Sequence, residues 1–290
     1  MNKIKILIPV YNDWQSVFKL LENINSEILT LEGEFSVIIV NDASSENKPE
    51  FSVNLTNLKS IQIINMKRNK GHARCNAAGL KYINDKEEFD YVIPMDGDGE
   101  DRPEELSLLI EKIKEHPDIV VTANRVKRSE GFIFKFCYLI HKYLTYVFTG
   151  HSIKYGNYSC MPKSAVNTMV NEAATWSSFS GSIAKLFKDR KFIPSIRAKR
   201  YFGLSKMNFI NLLKHSLSII AVFKITLLIR SILFLIAYLF LVTGKISIIT
   251  LIPVLGVIIM MISVIILSSR ENMSEYNNSL NNIDSIDKIK

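Results

Sequence analysis

Two regimes of apolar patterning divide the chain. Short, nearly unbroken apolar runs at residues 4–10, 35–40, 61–66, 91–95 and 119–122 alternate with stretches in which apolar residues recur every third or fourth position. The runs predict strands buried on both faces, and the periodic stretches predict helices. One helix is expected from Asp13 to about Leu29, with Val17, Leu20, Leu21, Ile24 and Ile28 on one stripe; others span residues 71–82 and 104–115. Asp13 is the expected N-cap of the first, and Asp101, ahead of Arg102-Pro103, that of the third. Strands alternating with helices imply a mostly parallel sheet with right-handed crossovers. After residue 225 the pattern changes to two long apolar blocks, 225–242 and 246–267, the second without a charge. Each approaches the roughly 20 helical residues that cross a hydrocarbon core. Only Thr243-Gly244-Lys245 separates them, which makes them antiparallel neighbours, and Arg230 is expected to snorkel to the interface.

Charge refines this picture. The net charge is +8, and the cations bunch at 125–128, 185–200 and 206–224, the last running straight into the apolar blocks. Anionic lipid explains that placement better than nucleic acid. Lys214, Lys224, Arg230 and Arg270 flank the blocks while their turn offers Lys245 alone, so the positive-inside rule puts both flanking regions in the cytoplasm. The first ten residues read as a strand and not as a signal peptide, which agrees. Residues 132–148 mix aromatics with cations and 208–223 are amphipathic; both are expected to lie at a membrane interface. Residues 269–290 are rich in Asn and Ser and are expected to be disordered. The three cysteines, Cys75, Cys137 and Cys160, are too scattered for a disulfide framework or a zinc site.

The candidate chemistry sits where strands end. Tyr11, Asn12 and Asp13 follow the first run, Asp42 the second, and Asp96-Gly97-Asp98-Gly99-Glu100-Asp101 the fourth. The carboxyl edge of an open α/β sheet is its ligand-binding edge. Asp96 and Asp98, one glycine apart, are suited to share Mg²⁺ or Mn²⁺, which prefer hard oxygens and leave positions open for phosphates. The first strand is followed by no glycine fingerprint, and there is no P-loop. The expected ligand is therefore a nucleotide held through base, ribose and a metal-bridged diphosphate.

Four blocks in order, Pro9-Val10-Tyr11-Asn12-Asp13, Val40-Asn41-Asp42-Ala43-Ser44, Asn69-Lys70-Gly71-His72-Ala73 and Met95-Asp96-Gly97-Asp98-Gly99, resemble glycosyltransferase family 2. Gly156-Asn157-Tyr158, the Arg200-Tyr201-Phe202-Gly203-Leu204-Ser205-Lys206 block and the apolar pair narrow the resemblance to its dolichol-phosphate-mannose synthase and polyprenyl-phosphate glycosyltransferase branch. The resemblance implies a GT-A domain over residues 1–202, a juxtamembrane amphipathic helix at 203–224, a two-helix transmembrane hairpin at 225–268 and the polar tail at 269–290. It implies that Pro9, Tyr11, Asn12, Asp13, Asp42 and Gly71 bind the nucleotide, with Asp96 also touching it. Asp98 is then the more direct metal ligand and Asp96 the second. Arg125 and Arg200 are expected near phosphates, and Arg200, Ser205 and Asn157 on the acceptor side.

The implied activity is inverting transfer of a sugar from a UDP- or GDP-sugar to a polyprenyl phosphate such as undecaprenyl phosphate. It would take place at the cytoplasmic leaflet of the cell inner membrane. A flippase and a homo-oligomer are possible partners, and nucleic acid is not one. One departure bears on the acceptor: the branch often carries Gly-Asp-Phe-Arg where this chain reads Gly156-Asn157-Tyr158-Ser159. An amide cannot deprotonate a hydroxyl, whereas a phosphate acceptor is already ionised. A glycolipid, glycan or protein hydroxyl acceptor stays open as the rival reading. A catalytically inactive membrane scaffold is the rival from another class, and the intact Asp96/Asp98 pair speaks against it.

Overall fold

The computed structural model describes residues 1–50, 54–127, 143–203 and 209–290. Most of the aromatic stretch 132–148, together with Cys137, Ser205 and Lys206, lies outside them. The chain divides into two compact units: residues 1–129, 154–206 and 272–290 form the first, and 130–153 with 207–271 the second.

The first unit is an α/β domain built on one eight-stranded sheet. Its strands are β1 (Lys3–Val10), β2 (Glu34–Asn41), β3 (Ser60–Met66), β4 (Tyr91–Pro94), β5 (Val121–Lys127), β6 (Tyr155–Pro162), β7 (Lys191–Ile196) and β8 (Ile283–Lys288). Their order is β7-β5-β6-β4-β1-β2-β3-β8. The central strands β4, β1, β2 and β3 run parallel, as do β5 and β7, while β6 joins the two groups antiparallel. The helices are α1 (Trp14–Glu27), α2 (His72–Lys86) and α3 (Leu106–Glu115), followed by α4 (residues 143–149), which belongs to the second unit. After β6 come α5 (Lys163–Val170), α6 (Ala173–Ser177) and α7 (Phe179–Leu186).

Ile4, Ile6, Leu7, Ile8 and Val10 of β1 are all buried, as their unbroken run requires. Burying such a side chain stabilises the fold by about 2 kcal/mol. The apolar stripe of α1 and Leu106, Leu109, Ile110 and Ile113 of α3 close one face of the sheet. A buried ion pair joins β1 to the end of α2: Lys5 Nζ lies 2.7 Å from Glu87 Oε2, and Gln62 Nε2 donates to the other oxygen.

Residues 269–290, expected to be disordered, are ordered instead. They form α11 (Met273–Asn277), a 3-10 turn at Ser279–Asn282 and β8, which pairs antiparallel with β3. An edge strand needs a backbone partner and only a sparse apolar face. Ile289, immediately after β8, packs against the core, and the polar residues before it hide the pattern in sequence.

In the second unit α8 (Phe209–Ala221), α9 (Lys224–Val242) and α10 (Ile248–Ser268) pack around Phe148, Ile220, Ala221, Leu227, Val257 and Val264. The α9 and α10 helices are long and apolar enough to cross a membrane. Ser247 and Thr250 form a capping box at the start of α10. Arg230 ties α9 to α4. Its guanidinium donates to the Val147 carbonyl at 2.8 Å, at the carbonyl end of α4. Lys224, at the start of α9, pairs with Glu271 at 2.9 Å.

Candidate active site

Because β1, β2 and β4 are parallel neighbours, their carboxyl ends share one edge, and Asp13, Asp42, Asp96 and Asp98 follow those ends. The acidic turn is folded by its own side chains. The Asp101 carboxylate accepts the Asp96 N–H at 3.0 Å, and Asp98 Oδ1 accepts the Glu100 N–H at 3.0 Å. Asp101 is thus not the helix cap expected from the sequence. A 3-10 turn at Pro103–Glu105 precedes α3, with Arg102 at the capping position of the turn and Glu105 at that of the helix, and neither makes a side-chain cap bond; the Asp101 side chain turns inward to close the loop. Asp13 holds the N-cap position of α1, but its side chain caps nothing and pairs with Arg200.

The segment after β7 is strapped along this turn. Ala198 N–H donates to Glu100 O and Tyr201 N–H to Asp98 O, each at 3.0 Å. Arg197 pairs with Glu100, and Asn23 donates to the Tyr201 hydroxyl at 2.7 Å. Gly99 has φ +83°, and a Cβ there would sit 2.3 Å from the Tyr201 ring, so the close approach needs glycine. The strap delivers Arg200, whose Nη1 donates to Asp98 Oδ2 at 2.7 Å while Nη2 reaches Asp13. Among the described residues Arg200 Nε, which is buried, has no hydrogen-bond partner. One guanidinium therefore bridges carboxylates from two strand ends and keeps a donor in reserve. An open cleft of about 370 Å³ lies beside it, lined by Asn12, Asp13, Glu46, Asn47 and Phe202 among others.

On the other side of the turn Asp96 Oδ1 lies 3.2 Å from His72 Nε2. Asn157 Nδ2 approaches both, at 2.8 Å from the imidazole nitrogen and 3.4 Å from the carboxylate. Arg125 lies inside β5 and not after it. Its guanidinium crosses Gly156, where a Cβ would be 2.6 Å from Nη2. Burial pulls Asp96 upward, but His72, then Arg197 and Arg125, outweigh it and hold the carboxyl well below the usual range. Asp98 goes the other way: burial first, then the charges of Asp96 and Glu100, push it up to about 6. Burial and Asp96 likewise raise Asp101.

Asp42 is buried and engaged by backbone, accepting the Lys70 N–H at 2.9 Å and the Gly71 N–H at 2.8 Å. The structure therefore brings Asp13, Asp96, Asp98, Asn157 and Arg200 into one connected cluster, with Arg125 acting electrostatically on Asp96. It pairs Asp42 with Gly71 separately, buries Pro9 in β1 and leaves Tyr11 exposed. Ser205 lies outside the described residues. His72, Arg197 and Tyr201 belong to the cluster; His72 and Tyr201 stand inside the blocks that carry the resemblance but have no role assigned there, and Arg197 lies outside them. His72 carried one signal, its place directly after Gly71 at a helix start.

Among the described residues no three ligating side chains converge. Asp98 nevertheless carries negative charge that its surroundings oppose, one glycine from Asp96. That donor chemistry fits a hard divalent cation which takes one or two protein carboxylates and completes its shell with phosphate and water.

Residues 5–177 match the family model described as glycosyl transferase family 2. An undecaprenyl-phosphate 4-deoxy-4-formamido-L-arabinose transferase from Proteus mirabilis is 29% identical over 219 residues, which are 73% of this chain. The match spans 65% of that relative, just under two thirds of its length. Among solved structures, glucosyl-3-phosphoglycerate synthase from Mycobacterium tuberculosis, in complex with Mn²⁺, UDP-glucose and phosphoglyceric acid, superposes with a TM-score of 0.55. It is 14% identical, and 79% of each chain is covered. A mannosyltransferase from Pyrobaculum calidifontis with GDP-mannose and Mn²⁺ gives 0.51 at 12% identity, over 97% of this chain and 87% of that one. At these identities the structural likeness establishes the fold, a mixed α/β sheet of GT-A type.

Proposed function

This chain belongs to glycosyl transferase family 2, and from that premise we propose that it is a membrane-bound glycosyltransferase moving a sugar from a nucleotide-sugar donor to a polyprenyl phosphate. The observation that carries the reading is the Asp98–Arg200–Asp13 bridge, with Asp96 beside it, at the carboxyl edge of the parallel strands. The donor kinds bound by the structural neighbours and the acceptor in the name of the Proteus relative support the two substrate classes.

In this reading Asp98 and Asp96 would hold a divalent cation, which would supply positive charge against the charge that develops on the departing diphosphate. Arg200 turns part of its guanidinium, Nε first, toward phosphate oxygens, since bidentate charge-assisted bonds orient as well as attract. Arg125 adds a second positive charge from β5. His72 and Asn157 fix the Asp96 carboxylate from the far side. Asn157 offers no base, which suits an acceptor phosphate that is already ionised. The acceptor attacks the anomeric carbon in one displacement, so an α-linked donor gives a β-linked product. The catalytic domain works at the cytoplasmic leaflet, and moving the product across the membrane falls to another protein.

The test is a panel of UDP- and GDP-sugars incubated with the full chain, Mn²⁺ or Mg²⁺, and membranes containing undecaprenyl phosphate. A lipid-phosphate sugar is expected by mass spectrometry, with inverted anomeric configuration by NMR. Transfer only to a hydroxyl-bearing acceptor would replace the polyprenyl-phosphate reading, and retained configuration would overturn the single displacement.

A further inference from the structure

We propose that Glu275, on the tail beyond the second apolar helix, is a positioning residue for donor binding: it braces the Lys67–Gly71 turn that holds Asp42. The inference rests on the donor reading above and adds to it a part of the chain far in sequence from every strand end of the site.

Glu275 gathers three donors. Its Oε1 accepts from Lys70 Nζ at 3.0 Å, and its Oε2 accepts from Trp176 Nε1 at 3.0 Å and lies 3.3 Å from Arg74 Nη2. The indole N–H first, then Lys70 and Arg74, hold its carboxyl below the ordinary range, so it is ionised at neutral pH. The surroundings are closely packed. Trp176 and Tyr276 are buried with ring centroids 5.4 Å apart, and the Arg74 guanidinium lies over the Trp176 ring at 5.4 Å. The tail also holds the other end of the turn. Lys67 N–H donates to Asn282 O at 2.7 Å, and Asn282 Nδ2 donates to Arg68 O at 3.0 Å.

Between these two anchors the chain makes the bend whose Lys70 and Gly71 N–H groups hold the Asp42 carboxylate. Asp42 is buried at the end of β2, so its orientation is set by those two amides and not by solvent. Gly71 occupies φ +89°, a conformation with many alternatives unless its neighbours are fixed. Lys70 and Arg74 also stand at the start of α2, where the helix dipole disfavours cations. Glu275 offsets both charges. Without it, the turn keeps its cations and loses the carboxylate that holds them.

The test uses the full chain in nanodiscs, comparing wild type with Glu275→Ala and Glu275→Gln. Calorimetry gives UDP and GDP affinity, steady-state kinetics give donor KM and kcat, and amide exchange reports residues 67–71. Glu275→Ala is expected to weaken binding of the preferred nucleotide about tenfold, the scale of losing a partly exposed ion-pair cluster. It should raise donor KM by a similar factor with little change in kcat, and speed exchange at Lys70 and Gly71 while β1 and β4 stay protected. Glu275→Gln keeps an acceptor for Trp176 but no charge, so it should fall between the two. Unchanged affinity and exchange in Glu275→Ala would overturn the brace, as would faster exchange spread evenly over the sheet. If Glu275→Ala does not fold, the same criteria apply to Glu275→Gln. Wild type that binds neither nucleotide overturns the donor reading instead, and exchange at residues 67–71 still decides whether Glu275 braces the turn.

Discussion

Arg200 stands between Asp13 and Asp98, and the site is organised by that one guanidinium more than by any carboxylate. Asp98→Ala is expected to abolish transfer while the domain stays folded, because the residue lies at a strand end and Asp13 remains to pair Arg200. Turnover by radiolabelled sugar transfer, alongside cooperative unfolding with a lowered melting temperature from the lost Glu100 and Arg200 contacts, checks this. Gly99→Ala should act through Arg200 at one remove. A Cβ would meet the Tyr201 ring, and the left-handed backbone alone costs about 1 kcal/mol or more for an L side chain. Moving Tyr201 moves Arg200, so turnover should fall at least about tenfold, the equivalent of 1.4 kcal/mol in the barrier, with a lower melting temperature. Asp13, Asp42, Asp96 and Asp98 were legible in sequence because each follows an apolar run that had to be a strand. His72 and the Arg197–Glu100 pair were not, because their roles depend on where the chain returns after β7. Asp101 was misread for a related reason: a carboxylate ahead of proline caps a helix unless a nearer backbone N–H claims it, and here Asp96 does.

At the scale of elements, buried runs announced their strands. The periodic stretches announced α1, α2 and α3, and two long blocks announced α9 and α10. What stayed hidden was β6 and β7, with the helices α5 to α7 between them, and above all β8. Its partner is the backbone edge of β3, and only the pairing itself, Ile64 opposite Ile286 and Ile63 opposite Asp287, reveals it as a strand. Removing residues 283–290 should leave the β3 edge open to other chains, and size-exclusion chromatography should then show aggregation where the full chain shows none. The Lys5–Glu87 pair links the opposite ends of β1 and α2 and was equally silent in sequence. Glu87→Ala would strand a buried ammonium with side-chain exposure of only 11%. The expected cost is about 3 kcal/mol, read as a fall in the thermal midpoint of the domain, with nucleotide affinity preserved in the fraction that stays folded.

At the scale of the molecule, one sheet holds strands drawn from before and after the two apolar helices. A chain that leaves a domain, crosses a bilayer and returns to the same sheet must cross an even number of times. Tags on Met1 and Lys290 should therefore report from the same side, and protease applied to right-side-out and inside-out vesicles distinguishes this from a single crossing. The same feature imposes an order on biosynthesis. A ribosome releases β3 before the two apolar helices and β8 after them, so the edge of β3 waits unpaired while both helices are made. The brace at Glu275 likewise arrives only after the two apolar helices. Nascent chains stalled before residue 272 would then carry Asp42 and the acidic turn and yet be poor at holding a nucleotide, so that translation itself withholds binding until both apolar helices have been made.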